Sequence, residues 1–169
     1  MISIADVRSK QQIEAVARLA REIWPKHYVP IIGQPQVDYM LARFQSELAI
    51  ARQIAGGVDY ILVLRKGKAV GYMAVAPTVN EDAGMLSKLY VRQSLRGLGL
   101  GKALLGFAEV ICRRFGCERI WLTVNKQNTP AIAWYERMGF AITCAVVQDI
   151  GNGFVMDDYR MEKALPDPD

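Results

Sequence analysis

The chain has 169 residues, of which 51% are hydrophobic and 22% charged, and its formal net charge is +4. This length and composition predict one globular domain whose core needs neither disulfides nor a metal ion. The basic residues are scattered, a distribution that suits a small anionic ligand and argues against a nucleic-acid partner. Five charged side chains fall within the first twenty residues, so no signal peptide or membrane span is predicted there and a cytoplasmic location is expected. No C-x-x-C pair occurs among the three cysteines, Cys112, Cys117 and Cys144, which argues against a disulfide framework and a zinc site.

The first third of the chain predicts one strand and two helices. Residues 2–8 alternate apolar and polar side chains, which is typical of a strand, and Ser9 with Gln12 forms a capping-box signature for the helix that follows. The next segment, 25–35, holds three prolines and a glycine and is predicted to be a loop. Apolar residues then recur at helical spacing over 37–51, which predicts a second helix.

The rest of the chain predicts six strands and two helices. In chain order they are strands at 60–64, 69–75 and 85–91, a helix at 104–115, a strand at 120–124, a helix at 130–138, and strands at 140–149 and 154–161. The predicted order is therefore β-α-α-β-β-β-α-β-α-β-β. We predict a single domain over 1–165 and a disordered tail over 166–169.

A turn with three alternating glycines joins the strand at 85–91 to the next helix. Because Gly97, Gly99 and Gly101 have no side chains, successive backbone N–H groups can approach an anion closely. The N-terminal end of the helix adds a positive dipole, and Arg96 and Lys102 add full charges. The turn therefore predicts a diphosphate-binding site.

Spacing distinguishes this turn from two other phosphate-binding motifs. The dinucleotide fingerprint G-x-G-x-x-G requires a glycine where Lys102 stands. The Walker pattern G-x-x-x-x-G-K-[ST] requires a glycine at Arg96 and a hydroxyl residue at Ala103. What remains is the pattern Arg96-x-x-Gly99-x-Gly101.

That pattern resembles the coenzyme A signature R/Q-x-x-G-x-G/A of the GNAT N-acetyltransferase superfamily. The preceding segment 86–91 is similar to the fourth strand of that family, and the segment from Asn128 through Tyr135 to Phe140 is similar to its second conserved block. The resemblance implies a mixed α/β fold with a mostly antiparallel seven-stranded sheet and helices on both faces. It also implies that the parallel strands 4 and 5 splay apart and leave a V-shaped gap.

The resemblance assigns the residues that bind acetyl-CoA, the implied co-substrate. The pantetheine arm is expected on the backbone of Leu89, Tyr90 and Val91 and on the side chain of Asn128, and the pyrophosphate on the turn. The turn residues in question are Arg96, Gly97, Leu98, Gly99, Leu100, Gly101 and Lys102. Tyr135 matches the position whose hydroxyl protonates the departing sulfur. The resemblance implies no metal.

The implied reaction is direct transfer of an acetyl group from acetyl-CoA to a primary amine. The general base is not assigned, because Ser87 and Lys88 stand where simpler family members place a glutamate. The candidates are a water chain, Glu81 and a residue of the segment 25–35. The acceptor also stays open between a small molecule and a peptide amine. The segment 28–54 resembles a polyamine-acetyltransferase subgroup, which suggests a polyamine. A homodimer is a further possibility, because dimers are common in similar families.

Two further features remain as leads, and one other function competes. His27 is the one histidine and titrates near neutrality, although a single loop histidine more often has no catalytic role. The pair Asp157 and Asp158 would attract a cationic amine, although carboxylates on an edge strand are usually solvated. The competing function is a non-catalytic acetyl-CoA sensor or interaction module, which would need no proton donor at Tyr135.

Overall fold

The computed structural model describes residues 1–167, which form one seven-stranded sheet with helices on both faces. The strand order is β1-β2-β3-β4-β5-β7-β6. The elements are β1 Ile2–Asp6, α1 Lys10–Ile32, α2 Gln34–Phe44, α3 Glu47–Ala55, β2 Asp59–Arg65, β3 Lys68–Pro77, β4 Ala83–Val91, α4 Leu100–Arg114, β5 Arg119–Asn125, α5 Thr129–Arg137, β6 Ala141–Gly151 and β7 Phe154–Ala164. A short 3₁₀ turn, Gln93–Leu95, precedes the glycine turn.

The predicted mixed α/β fold is confirmed, including the parallel pairing of strands 4 and 5. The other neighbouring strands of the sheet pair antiparallel. The parallel pairing is short, because it joins only Ala83–Met85 to Arg119–Trp121. Beyond Met85 and Trp121 the two strands separate, and this separation opens the centre of the sheet.

Two apolar cores lie on opposite faces of the sheet. One core packs α4 and α5 against alternate residues of the central strands, such as Val63, Met73 and Leu122. The other packs α1, α2 and α3 against residues of the opposite parity, such as Leu62 and Tyr72. Strand alternation thus supplies both faces with apolar side chains, which is why the central strands are apolar at nearly every position.

The prediction that 25–35 is a loop was wrong, because α1 continues to Ile32 through Pro25 and Pro30. A proline inside a helix removes one backbone hydrogen bond and crowds the preceding turn, at a cost of about 3 kcal/mol. Burial opposes that cost here, since Trp24 is in the core and Tyr28 packs against it. Of the segment 25–35, only Gly33 lies outside a helix, with a φ of 84°.

The predicted second helix is two helices, so three helices rather than two precede β2. The break falls at Gln45 and Ser46, where the Ser46 hydroxyl accepts a hydrogen bond from the Ala49 N–H and caps α3. Gln45 is only 1% exposed, and its side chain bonds both the Tyr60 and the Tyr72 hydroxyls. The buried amide therefore joins the break to β2 and β3.

The fold leaves three predictions open. Pro166 accepts a hydrogen bond from the Arg113 guanidinium at 2.9 Å, whereas positions 168 and 169 of the predicted disordered tail lie outside the described residues. The tail and the domain bounds therefore stay predictions. The homodimer also stays a prediction. The outer strand β6 exposes the apolar side chains of Ile142 and Val147. No helix within residues 1–167 is long and apolar enough to cross a membrane.

Candidate active site

The separation of β4 and β5 creates a cleft of about 1150 Å³. A bulge shapes its β4 wall: Val75 of β3 pairs with Leu86, but the next residue, Ala74, pairs with Lys88, so Ser87 is the extra residue. A bulge re-aims the side chains that follow it. Leu86 therefore faces the α4 core, while Lys88 and Tyr90 share the opposite face with Ala74 and Tyr72.

The glycine turn lies at one end of the cleft. Gly97 and Gly99 have φ angles of 80° and 76°, a backbone conformation that other residues adopt at a cost, and a Cβ at either position would meet no atom within 4 Å. Gly101 is required for another reason, since a Cβ there would stand 3.2 Å from the Trp134 ring. The turn thus combines two glycines with open space beside them and one that allows α4 to approach α5.

Most of the predicted turn residues line the cleft. They are Arg96, Gly97, Gly99, Leu100, Gly101 and Lys102. Leu98 does not line it, and 70% of this residue is exposed. The first hydrogen bond of α4 runs from the Ala103 N–H to the Gly99 carbonyl at 3.2 Å. The N–H groups ahead of Ala103 belong to the helix end, where no helical acceptor precedes them, and this is the usual position for an anion.

The second predicted block reaches the cleft from α5. Asn128 is the N-cap residue of this helix but makes no side-chain capping bond, and it lines the cleft. The Tyr135 ring packs edge-on against Trp134 and Phe140, with centroid separations of 5.0 and 5.5 Å. Burial raises the pKa of the Tyr135 phenol well above its usual value. The hydroxyl is therefore a proton donor that stays protonated at neutral pH.

Helix α1 lines another side of the cleft with aromatic side chains. The hydroxyls of Tyr28 and Tyr90 are hydrogen-bonded at 2.8 Å, and Trp24 packs against both rings. Next to Tyr28, His27 contacts the Arg96 guanidinium through its Nε2 atom. Burial, with a smaller effect of the Arg96 charge, lowers the pKa of His27. A histidine that favours the neutral form beside Arg96 is suited to orient the guanidinium rather than to add charge.

Sequence reasoning gave too little weight to Asp158. The prediction that this carboxylate lies on an edge strand was wrong, because β6 is the edge and β7 lies between β5 and β6. Asp158 is 6% exposed and lines the cleft, whereas Asp157 faces away and pairs with Lys126 at 2.7 Å. Burial, reinforced by the Asp157 charge, raises the pKa of Asp158 to about 6, although Lys126 and a hydrogen bond from Thr123 oppose the shift.

The cleft fits acetyl-CoA in shape and chemistry. Gly97 and Gly99 leave open space beside the turn. The N-terminal end of α4, with Arg96 and Lys102, suits a pyrophosphate. Between β4 and β5, the strands diverge over residues 86–91, which leaves an opening that admits an extended arm. Among residues 1–167, no group of three or more histidine, cysteine and acidic side chains is arranged to hold a metal ion.

Comparison with known proteins assigns the family. The family model described as the acetyltransferase (GNAT) family matches residues 14–140. The chain belongs to this GNAT acetyltransferase family. It is an acyl-CoA-dependent N-acetyltransferase, and acetyl-CoA is its co-substrate.

Similar proteins are found over most of the chain. The uncharacterized N-acetyltransferase YjgM of Escherichia coli is 34% identical over 137 residues, 77% of each chain. Spermidine N(1)-acetyltransferase of Thermoplasma acidophilum is 24% identical, over 88% of this chain and 92% of its own length. The solved structure of PaiA N-acetyltransferase from Thermoplasma acidophilum, in complex with coenzyme A, has a TM-score of 0.79 and 21% identity over 97% of this chain and 99% of its own. At that identity the structural likeness shows the fold.

In this GNAT N-acetyltransferase, Lys88 follows the bulge and points into the cleft. Its ammonium group donates to the Ser87 hydroxyl at 2.8 Å and to the Ser87 carbonyl at 3.2 Å. Burial lowers the pKa of Lys88 to about 8. The bulge therefore places a cation on the strand where simpler family members carry a glutamate.

The base candidates that sequence left open differ in position. Glu81 does not line the cleft and is bound to Arg160 at 3.3 Å. The segment 25–35 brings His27 to the cleft, but this side chain faces Arg96 at the turn end. Asp158, in contrast, lines the cleft. In the sequence it was visible only as part of the acidic doublet in β7, and only the strand order shows that it is not part of a solvated pair.

Proposed function

We propose that this N-acetyltransferase transfers the acetyl group of acetyl-CoA directly to the primary amine of a small molecule or a peptide. The observation that carries the proposal is the shared cleft, which is lined by the glycine turn, Tyr135 and Asp158. These groups supply anion binding, a proton donor and a proton acceptor for amine acylation. The spermidine-acetylating relative supports a small amine as the acceptor.

In the proposed reaction, Arg96, Lys102 and the turn backbone bind the pyrophosphate, and Asn128 with the backbone of Leu89–Val91 aligns the pantetheine arm. The bound co-substrate supplies an activated acyl group as a thioester. A backbone N–H of β4 stabilises negative charge on the acyl oxygen. No protein nucleophile is required, because the amine reaches the same cleft.

Two side chains handle protons. Asp158 binds the incoming ammonium and accepts its proton, which frees the nitrogen lone pair for attack. Tyr135 donates its proton to the sulfur as the carbon–sulfur bond breaks, and the second proton of the attacking nitrogen then returns to the Tyr135 oxygen. The raised pKa of Asp158 is suited to this role, since a carboxyl that titrates at about 6 accepts a proton more readily than an ordinary aspartate.

Substitution of Tyr135 tests the proposal. With a panel of primary amines and detection of free thiol, Tyr135→Phe is expected to lower kcat about a hundredfold, the lower range for general acid catalysis. The KM for acetyl-CoA should change little, because the ring and its packing remain. Tyr159→Phe is the matched control, since Tyr159 lies on β7 but does not line the cleft. Unaltered turnover in Tyr135→Phe would exclude this tyrosine as the acid.

A further inference from the structure

Within residues 1–167, Lys88 has no counter-ion. The acidic side chains of this range that pair with cations do so with other residues, and the Nζ atom of Lys88 bonds only to neutral groups of Ser87. Burial alone accounts for its lowered pKa, without an opposing contribution from a nearby carboxylate. A part-buried ammonium without a partner is destabilising unless a ligand supplies the negative charge.

None of the other charged groups of the cleft is a counter-ion of Lys88. Arg160 stacks over the Trp121 ring at 4.0 Å and pairs with Glu162 at 3.0 Å and with Glu81. Arg96 and Lys102 belong to the turn, on α4 and its approach. Asp158 stands on β7, across the separated strands from Lys88 on β4. Because Arg160 is neutralised by its two glutamates, Lys88 and Asp158 remain as the positive and the negative group on opposite walls of the acceptor part of the cleft.

Between these groups the wall is apolar and aromatic. The lining residues include Trp24 and Tyr28 of α1, Met40 of α2, Ile150 of β6 and Met156 of β7. Trp24, Met40 and Ile150 are buried core residues whose outer surfaces reach the cleft. Such a surface suits an apolar side chain rather than a chain of ammonium groups.

We propose that the acceptor is an amino acid, or another small amine that carries a carboxylate, with its amine at Asp158, its carboxylate at Lys88 and its side chain against the apolar wall. The inference rests on the proposed function and names the substrate class of the same site. A polyamine would bring a second ammonium group towards Lys88, where like charges repel. A carboxylate would form a charge-assisted hydrogen bond with the same nitrogen.

Matched pairs of acceptors test this inference. Each pair consists of an amino acid and the amine that lacks its carboxylate: phenylalanine and phenethylamine, methionine and 3-(methylthio)propylamine, leucine and isoamylamine, lysine and cadaverine. With saturating acetyl-CoA at pH 7, kcat/KM is expected to be about tenfold to a hundredfold higher for at least one amino acid than for its partner, the usual range for a hydrogen bond to a charged group.

Variants locate the preference. Lys88→Met should bring the ratio within each preferred pair close to one, through a higher KM for the amino acid, while Lys88→Arg should retain part of the preference. Lys68→Met is the control, because Lys68 is an exposed lysine at the start of β3 outside the cleft. A preference that survives in Lys88→Met would overturn the role of Lys88.

Failure of this inference is distinguishable from failure of the proposed function. If wild-type protein acetylates the decarboxylated amines as well as or better than the amino acids, amine acetylation stands and the carboxylate inference is overturned. If calorimetry shows coenzyme A binding but no amine or amino acid is acetylated, the proposed function is overturned and this inference with it.

Discussion

Asp158 is the residue that the proposed reaction uses as proton acceptor. Burial raises its pKa to about 6 because the charged form loses hydration between β5 and β6, and the Asp157 charge adds to the effect. A carboxyl that must be ionised to bind an ammonium group loses this capacity as pH falls through its pKa. The carboxylate is therefore functional at neutral pH and lost in mild acid.

The pH dependence of the reaction follows from this shift. In wild-type protein, kcat/KM for the acceptor should fall below pH 6, and Asp158→Asn should remove this limb and lower the plateau about tenfold or more. Rates measured from pH 5 to 8 check the prediction. His27→Gln is the comparison, because burial lowers the pKa of His27 from its ordinary value, towards the range in which Asp158 titrates. Loss of the limb in His27→Gln, with its retention in Asp158→Asn, would assign the titration to the histidine.

The same shift has a consequence for stability. A carboxyl whose folded-state pKa lies above its unfolded value binds its proton more tightly in the folded protein. Its contribution to stability therefore becomes more favourable as pH falls from about 6 towards the ordinary aspartate value. At neutral pH the ionised Asp158 is a cost that function requires, and its replacement by asparagine relieves that cost.

At the scale of elements, two glycines near the ends of α4 allow the effect of backbone strain to be measured separately from the effect on ligand binding. Gly99 and Gly116 have nearly equal φ angles, 76° and 78°, and a Cβ at either position would meet no atom within 4 Å. They differ in position. Gly99 is the N-cap residue of α4 and lines the cleft, whereas Gly116 follows the end of α4. The pair therefore offers a matched comparison.

Alanine at either glycine should cost about 1 kcal/mol of unfolding free energy, because an L residue in the left-handed region is strained. Gly99→Ala should also weaken coenzyme A binding about tenfold or more, since its methyl group projects where the backbone meets the pyrophosphate. Denaturant titration and calorimetry measure the two effects. Equal affinities in Gly99→Ala and Gly116→Ala would argue that the ligand does not bind at the turn.

The elements also show what sequence can and cannot predict. Strands and the glycine turn were predictable because apolar runs and glycine spacing are local signals, and the family blocks around Gly99 and Tyr135 extended them. Pro25 and Pro30 predicted a loop because proline preferences are local, whereas burial of α1 is a tertiary effect. The break at Gln45 was not predicted, because a glutamine gives no sign that its amide bonds two buried tyrosines.

The directions of the charged side chains in the cleft also could not be predicted from local sequence patterns. The Asp157–Asp158 doublet was visible in the sequence, but its burial depends on β7 pairing with both β5 and β6. Lys88 was likewise visible, but its direction depends on the register shift opposite Ala74 and Val75. Neither strand order nor register follows from a local pattern.

At the scale of the whole molecule, the sheet has an opening at its centre. The β4–β5 ladder holds only three residue pairs, whereas β5 and β7 pair over seven. A ligand that contacts both the turn and the separated strands therefore binds across the two parts of the sheet. Such a ligand stabilises the folded state, since the unfolded chain lacks the site.

Coenzyme A should therefore raise the melting temperature in a concentration-dependent way. At a hundred times its Kd the stabilisation is about 2.7 kcal/mol, which corresponds to roughly 5 to 10 °C for a domain of this size. Pantetheine at the same concentration should give a smaller shift, because it lacks the pyrophosphate that the turn binds. Thermal denaturation at several ligand concentrations measures both. A melting temperature that does not respond to coenzyme A would contradict binding in the cleft.

The single extra residue in β4 sets the parity of that strand. In a regular ladder Ser87 would pair with Ala74, the side chains at 88 and 90 would point into the α4 core, and those at 89 and 91 would face α1. With the bulge, Lys88 and Tyr90 lie on the α1 side of the sheet, where we propose that the acceptor binds, and Leu89 and Val91 pack against the α4 core. Under the proposed function, Lys88 can therefore be substituted to change acceptor choice without altering the two β4 side chains that pack against the α4 core, while the backbone of the same segment binds the donor.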